Sequence, residues 1–111
     1  MNKRQLGNTN INLTAIGFGG APLGNLFENL DERNCYDILE KTYNEGINIY
    51  DTSPLYGYGL SEHRLGNFLK TVDEESYFLS TKVGRYLTPA KKESIDRGRF
   101  AGSLNFSPNL D

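Results

Sequence analysis

The stretch GINIYDTSPLYGYGLSEHRLGNFL, Gly46–Leu69, decides how the chain reads. Its opening, INIYD (47–51), places Ile47, Ile49 and Asp51 on one face in the period-2 manner of a strand. The run ends in a carboxylate, Asp51. Pro54, Gly57 and Gly59 then mark a loop that carries Tyr56. A helix follows from Ser61 as N-cap, with Glu62 in its first turn, where negative charge suits the helix dipole. Leu60 and Leu65 stand at hydrophobic-staple spacing, and Leu65, Phe68 and Leu69 supply a buried stripe. Gly66 weakens that helix by roughly 1 kcal/mol, which points to packing that favours a small residue there.

Working outward, a second helix precedes this strand. Asp31 is its N-cap, Glu32 favours its positive end, and Leu30 and Cys35 form another staple. Cys35, Ile38, Leu39, Thr42 and Tyr43 follow the spacing of one buried face, and Gly46 ends the helix. Upstream, APLGNLFENL reads as a loop and Thr14–Phe18 as a strand. At the N-terminus KRQL and INLT flank GNTN, whose Gly7 and Asn8 suit the turn of a β-hairpin. Downstream, SYFLSTK (76–82) is a third strand. Beyond Gly84 the charges, glycines and prolines show no sustained period, and 85–111 reads as a long loop. The order after the hairpin is β-α-β-α-β, with about 30 residues from strand to strand. That spacing predicts an α/β fold of parallel strands with helical crossovers, used by open doubly wound sheets and by the eight-stranded barrel.

A chain of 111 residues is one domain at most. A net charge of −2 provides no basic footprint for nucleic acid or an acidic membrane surface. No apolar run approaches the ~20 residues of a membrane span. MNKRQLGNTN has two basic residues with no apolar segment behind them, so no secretory signal is expected. The single cysteine, Cys35, can form no internal disulfide, which points to a reducing, cytoplasmic compartment. One histidine, His63, and no Cys/His cluster predict no metal site. His63 reads as a residue on the surface of its helix.

Parallel α/β folds carry active groups at the carboxyl ends of their strands. Asp51 and Lys82 occupy two such ends. On the same face of neighbouring strands about 4.8 Å apart, they would form an ion pair, with Tyr56 folding back over it. The trio has a chemical logic. A free tyrosine titrates near pH ~10, and a neighbouring ammonium stabilises the phenolate. The carboxylate holds the lysine in place and charged. A tyrosine so placed can protonate a carbonyl oxygen as hydride reaches carbon, or take the proton in reverse.

At this point the residues carry a resemblance. GINIYDTSPLYGYGLSEHRLG resembles the first signature of the aldo-keto reductases, and FLSTKVG resembles their lysine-bearing strand. The initial hairpin resembles the one that plugs the bottom of their (β/α)8 barrel. DTSPLYGYGLSE, with GFGGAPLGN before it, looks most like the branch of aldose, L-fucose, galactose and pyridoxal dehydrogenases. The resemblance implies the N-terminal portion of a (β/α)8 TIM barrel preceded by a β-hairpin, occupying 1–111. It implies oxidoreductase chemistry with NADP or NAD on a small-molecule carbonyl or sugar, with Asp51, Tyr56 and Lys82 as three of four catalytic residues. Gly20 and Ala21, with Asp51, match positions that approach the cofactor. The fourth catalytic residue is a histidine at the end of the next strand, which these residues do not reach. A whole barrel needs ~250 residues, so the resemblance implies a missing C-terminal barrel portion and a chain inactive by itself. Two other readings stay open. One is a truncated, non-catalytic chain with at most an interaction role. The other is a Rossmann-like nucleotide binder built on GFGGAPLG, with Asp51 as the ribose acid. Pro22 at the third glycine position, and about ten residues of loop before Asp31, count against that second reading.

Overall fold

The computed structural model describes residues 1–91 and 97–109. Strands β1 (Lys3–Gln5) and β2 (Asn12–Thr14) pair antiparallel as the expected hairpin, with Lys3 opposite Thr14. The next strand is not Thr14–Phe18 but the shorter β3, Phe18–Gly19. Thr14 is already committed elsewhere. Its N–H donates to the Asn48 side-chain oxygen at 2.8 Å, and its hydroxyl accepts from the Asn48 N–H at 3.2 Å. Asn48 Nδ2 also donates to the Asn12 carbonyl at 2.9 Å. One buried asparagine thus fastens the hairpin to the sheet.

Helix α1 spans Glu32–Asn44, and the Asp31 cap accepts from Asn34 N–H at 2.7 Å. Of its expected face, Cys35 and Leu39 are buried while Ile38 is 42% exposed, so the seam is narrower than the pattern suggests. Then come β4 (Ile49–Asp51), α2 (Leu60–Leu69) and β5 (Phe78–Ser80). The three strands run parallel in the order β3-β4-β5, with Gly19 beside Asp51 and Asp51 beside Ser80. Their carboxyl ends are therefore level. Tyr50, on the middle strand, is fully buried among Cys35 and Leu39 of α1, Leu65, Phe68 and Leu69 of α2, and Leu23. Burial pushes its phenol pKa up to about 12. Alternation sends Ile49 and Asp51 to the opposite, half-buried face.

Helix α2 corrects two expectations. Its N-cap is Gly59 rather than Ser61. Ser61 lies inside the first turn, and its hydroxyl donates to the buried Gly20 carbonyl at 2.7 Å. Gly66 has no heavy atom within 4 Å of where a Cβ would sit, so packing does not require a small residue there. Gly66→Ala is therefore expected to raise unfolding stability by about 0.5–1 kcal/mol, read as a higher midpoint in urea. A lower midpoint would mean that a neighbour presses on this position in solution.

The segment 85–111 is not simply a loop. Strands β6 (Tyr86–Pro89) and β7 (Phe106–Asn109) pair antiparallel, with Tyr86 opposite Asn109. Residues 92–96 and 110–111 lie outside the described residues. The strands are short and far apart in sequence, which hides their alternation from a local reading. Leu87 and Leu104 pack the ribbon against the start of α2: their Cδ1 atoms lie 3.3 and 3.5 Å from where a Cβ at Gly59 would sit. No helix among the described residues is long and apolar enough to cross a membrane.

Candidate active site

The level strand ends bring Asp51 and Lys82 together. Lys82 Nζ donates to Asp51 Oδ2 at 2.9 Å and to the Thr52 carbonyl at 2.9 Å. Ser80, which faces Asp51 across the ladder, donates its hydroxyl to Asp51 Oδ1 at 2.9 Å. The Lys82 hydrogen bond, with help from Ser80, holds the Asp51 carboxyl below its usual range against an opposing contribution from burial. Asp51 in turn raises the Lys82 pKa, and the Tyr56 hydroxyl adds in the same direction. The Lys82 nitrogen stands 5.0 Å from the centroid of the Tyr56 ring. Thr81 is also held, because its hydroxyl donates to Glu62 of α2 at 3.0 Å. All three members of the sequence trio thus converge.

Lys82 and Asp51 side chains are 47% and 45% exposed. An ion pair this open contributes at most about 1 kcal/mol to stability; it leaves both groups accessible to a small molecule. Beside them opens a depression of about 350 Å³ lined by Ser53, Pro54, Leu55, Tyr56, Lys82, Val83, Gly84 and Arg85. His63 is exposed on α2.

Gly20 and Ala21 lie at the end of β3, at the start of the 3-10 turn Ala21–Gly24. Gly20 N–H donates to the Asp51 carbonyl at 2.7 Å. A Cβ on Gly20 would lie 2.7 Å from that oxygen and 2.9 Å from Ser61 Oγ. Close packing against β4 is thus sufficient reason for a glycine at 20. Because Ser61 gives its proton to Gly20, the 2.8 Å contact between Thr52 and Ser61 hydroxyls has Thr52 as donor. These bonds tie the ends of β3 and β4 to the start of α2.

Two supports are absent from the sequence reading. The first is a backbone contact beneath Tyr56. A Cβ on Gly24 would lie 2.4 Å from the Tyr56 carbonyl carbon, and one on Gly57 would lie 2.6 Å from the Gly24 oxygen. Gly57 also has φ +66°, where a side chain is strained. The second is Arg64, whose side chain is 6% exposed. It donates to the carbonyls of Leu23 and Leu30 and to Asn25 Oδ1, each at 2.8 Å, and to Glu32 at 2.7 Å. A signal for it existed: Ser61, Arg64, Leu65 and Phe68 follow i, i+3, i+4, i+7 and share one face of α2.

Comparison with known proteins bears on the family and the fold. The chain is 47% identical over 77 residues to a D-threo-aldose 1-dehydrogenase of a Pseudomonas species, covering 69% of this chain and 23% of that protein. It is 43% identical over 119 residues to the pyridoxal 4-dehydrogenase of Microbacterium luteolum, covering 98% of this chain and 34% of that protein. An aldo-keto reductase from Bacillus halodurans, solved in its holo form, superposes with a TM-score of 0.67 at 34% identity, covering 85% of this chain and 28% of that one. The chain thus spans between about a quarter and a third of the length of these relatives. Its hairpin and three parallel strands form the N-terminal portion of a (β/α)8 barrel, with no closed barrel among the described residues. The Aldo/keto reductase family model matches residues 15–107, a span that holds Asp51, Tyr56, Lys82 and the glycine contact beneath them, and the chain belongs to that family.

Proposed function

We propose that this chain carries the proton-transfer site of a nicotinamide-dependent oxidoreductase that interconverts a carbonyl and an alcohol. The observation that carries this reading is the placement of the Lys82 ammonium, held by Asp51 at 2.9 Å and 5.0 Å from the Tyr56 ring centroid, at the rim of an open depression. In the reducing direction the Tyr56 hydroxyl gives its proton to the carbonyl oxygen as that carbon takes a hydride. The tyrosinate left behind is stabilised by Lys82, which Asp51 keeps protonated and aimed. In the oxidising direction the same tyrosinate removes the alcohol proton. The donor set fits the reacting end of NADP or NAD, which when bound supplies or accepts the hydride.

The named activities of two relatives, on an aldose and on pyridoxal, favour a small polyhydroxy or ring-bearing carbonyl as substrate. The free, buried Cys35 fits a cytoplasmic setting. Alone, the chain is expected to show no turnover, because Asp51 and Lys82 stand nearly half exposed and water is not excluded from them. The test is a chimera in which residues 1–109 replace the matching N-terminal segment of the Microbacterium luteolum pyridoxal 4-dehydrogenase. Nicotinamide-dependent oxidation of pyridoxal or an aldose supports the reading. A folded chimera that binds nicotinamide and turns nothing over removes it.

A further inference from the structure

The Tyr56 backbone is fixed on several sides. Its N–H donates to the Ser53 carbonyl at 3.1 Å, its carbonyl accepts from Ser61 N–H at 3.1 Å, and Gly24 presses on it from below. The half-buried ring meets the Lys82 ammonium at 5.0 Å and the Phe100 ring, whose centroid is 6.3 Å away at an interplanar angle of 42°. Phe100 comes from the β6–β7 segment, which strand-end logic does not include in the site.

Phe100 is itself well anchored. Its ring meets Tyr58 edge-on at 6.2 Å and 61°. It forms an antiparallel bridge with Leu26, and its N–H donates to the Arg97 carbonyl at 2.9 Å. On either side, Phe27 N–H donates to the Arg99 carbonyl at 2.8 Å and Ala101 N–H donates to the Asn25 carbonyl at 2.9 Å. Leu104 N–H reaches the Gly57 carbonyl, one residue after Tyr56, at 3.1 Å. The segment is thus strapped to both loops that frame Tyr56, and Phe100 is the side chain it lays against the ring.

We propose that Phe100 is a positioning residue: it holds the Tyr56 ring so that the hydroxyl stays beside the Lys82 ammonium. Offset aromatic pairs prefer defined geometries, and a displacement near 1 Å at a reacting group can cost about 100-fold in rate. The inference rests on the proposed role of Tyr56 in proton transfer, but its test does not need turnover. In the full chain, labelled with carbon-13 at tyrosine Cζ and assigned through Tyr56→Phe, Lys82→Met is expected to move the Tyr56 signal. In a Phe100→Ala background that displacement falls at least about threefold, while the amide signals of β4 and β5 stay in place. Phe100→Leu keeps apolar volume without the ring and reduces the displacement at least about twofold. An undiminished displacement in either folded variant overturns the proposal. So does unfolding of both variants, which would make Phe100 a core residue. In the chimera, Phe100→Ala is expected to lower kcat about 10- to 100-fold with KM within about threefold. A folded chimera that binds nicotinamide and turns nothing over contradicts the catalytic reading of Tyr56 and does not affect the spectroscopic result.

Discussion

Tyr56→Phe in the chimera is expected to lower kcat by about 100- to 10,000-fold, the range set by a positioned general acid. The substitution removes one oxygen and keeps the ring, so the contacts with Phe100 and the ammonium remain in place. Nicotinamide affinity, read by fluorescence titration, should change less than about threefold, because the phenol acts on the substrate oxygen. A loss confined to kcat identifies an interaction made in the transition state. Turnover within about fivefold of the parent would remove Tyr56 from the chemistry.

Arg64→Ala is expected to destabilise the chain by about 3–5 kcal/mol, comparable with the lower part of the ~5–15 kcal/mol range for a whole domain. The ion pair with Glu32 contributes little of this, since Glu32 is 71% exposed and can return to water. The larger part comes from the Leu23 and Leu30 carbonyls, which lose their donor together, while Asn25 Oδ1 keeps the Leu30 N–H at 3.0 Å. Each unsatisfied buried acceptor costs about 1–3 kcal/mol. Asn25 is 6% exposed and sits at φ +64°, a conformation its side-chain bonds to Arg64 and Leu30 help to hold. Urea unfolding of Arg64→Ala, with Arg64→Lys beside it, measures the effect. Lysine should recover less than half, because a single ammonium cannot reach all four oxygens in the planar arrangement that the guanidinium satisfies. A shift below about 1 kcal/mol would show that water enters and replaces the missing donor.

The strand-helix alternation and the Asp51–Tyr56–Lys82 trio were legible because each rests on local signals. Ile47, Ile49 and Asp51 alternate, Asp31 caps, and Lys82 ends the strand-like run SYFLSTK. The parallel register then follows from the fold class. What was illegible depends on partners remote in sequence. Ser61 has the chemistry of a cap, and only the buried Gly20 carbonyl explains why it serves another purpose. Thr14 looks like the start of a strand until Asn48 is seen to hold it. Phe100 is one aromatic residue in an irregular stretch, and its neighbours Tyr56 and Tyr58 lie far upstream. Gly66 misled in the opposite sense: a residue that usually records close packing faces open space here.

The backbone contact between Gly24 and Gly57 bears on how such a protein can change over generations. Neither position can acquire a side chain without moving the Tyr56 loop, since a Cβ would come within 2.4–2.6 Å of main-chain atoms. The floor under the phenol is therefore closed to variation by point substitution. Apart from Phe100, the β6–β7 ribbon is attached by a few main-chain hydrogen bonds and by Leu87 and Leu104, apolar side chains that tolerate exchange. New substrate preferences can accumulate in the ribbon while the floor stays constant. A library aimed at altered specificity should randomise Leu87 and Leu104 and leave Phe100 and residues 20–24 and 51–61 untouched.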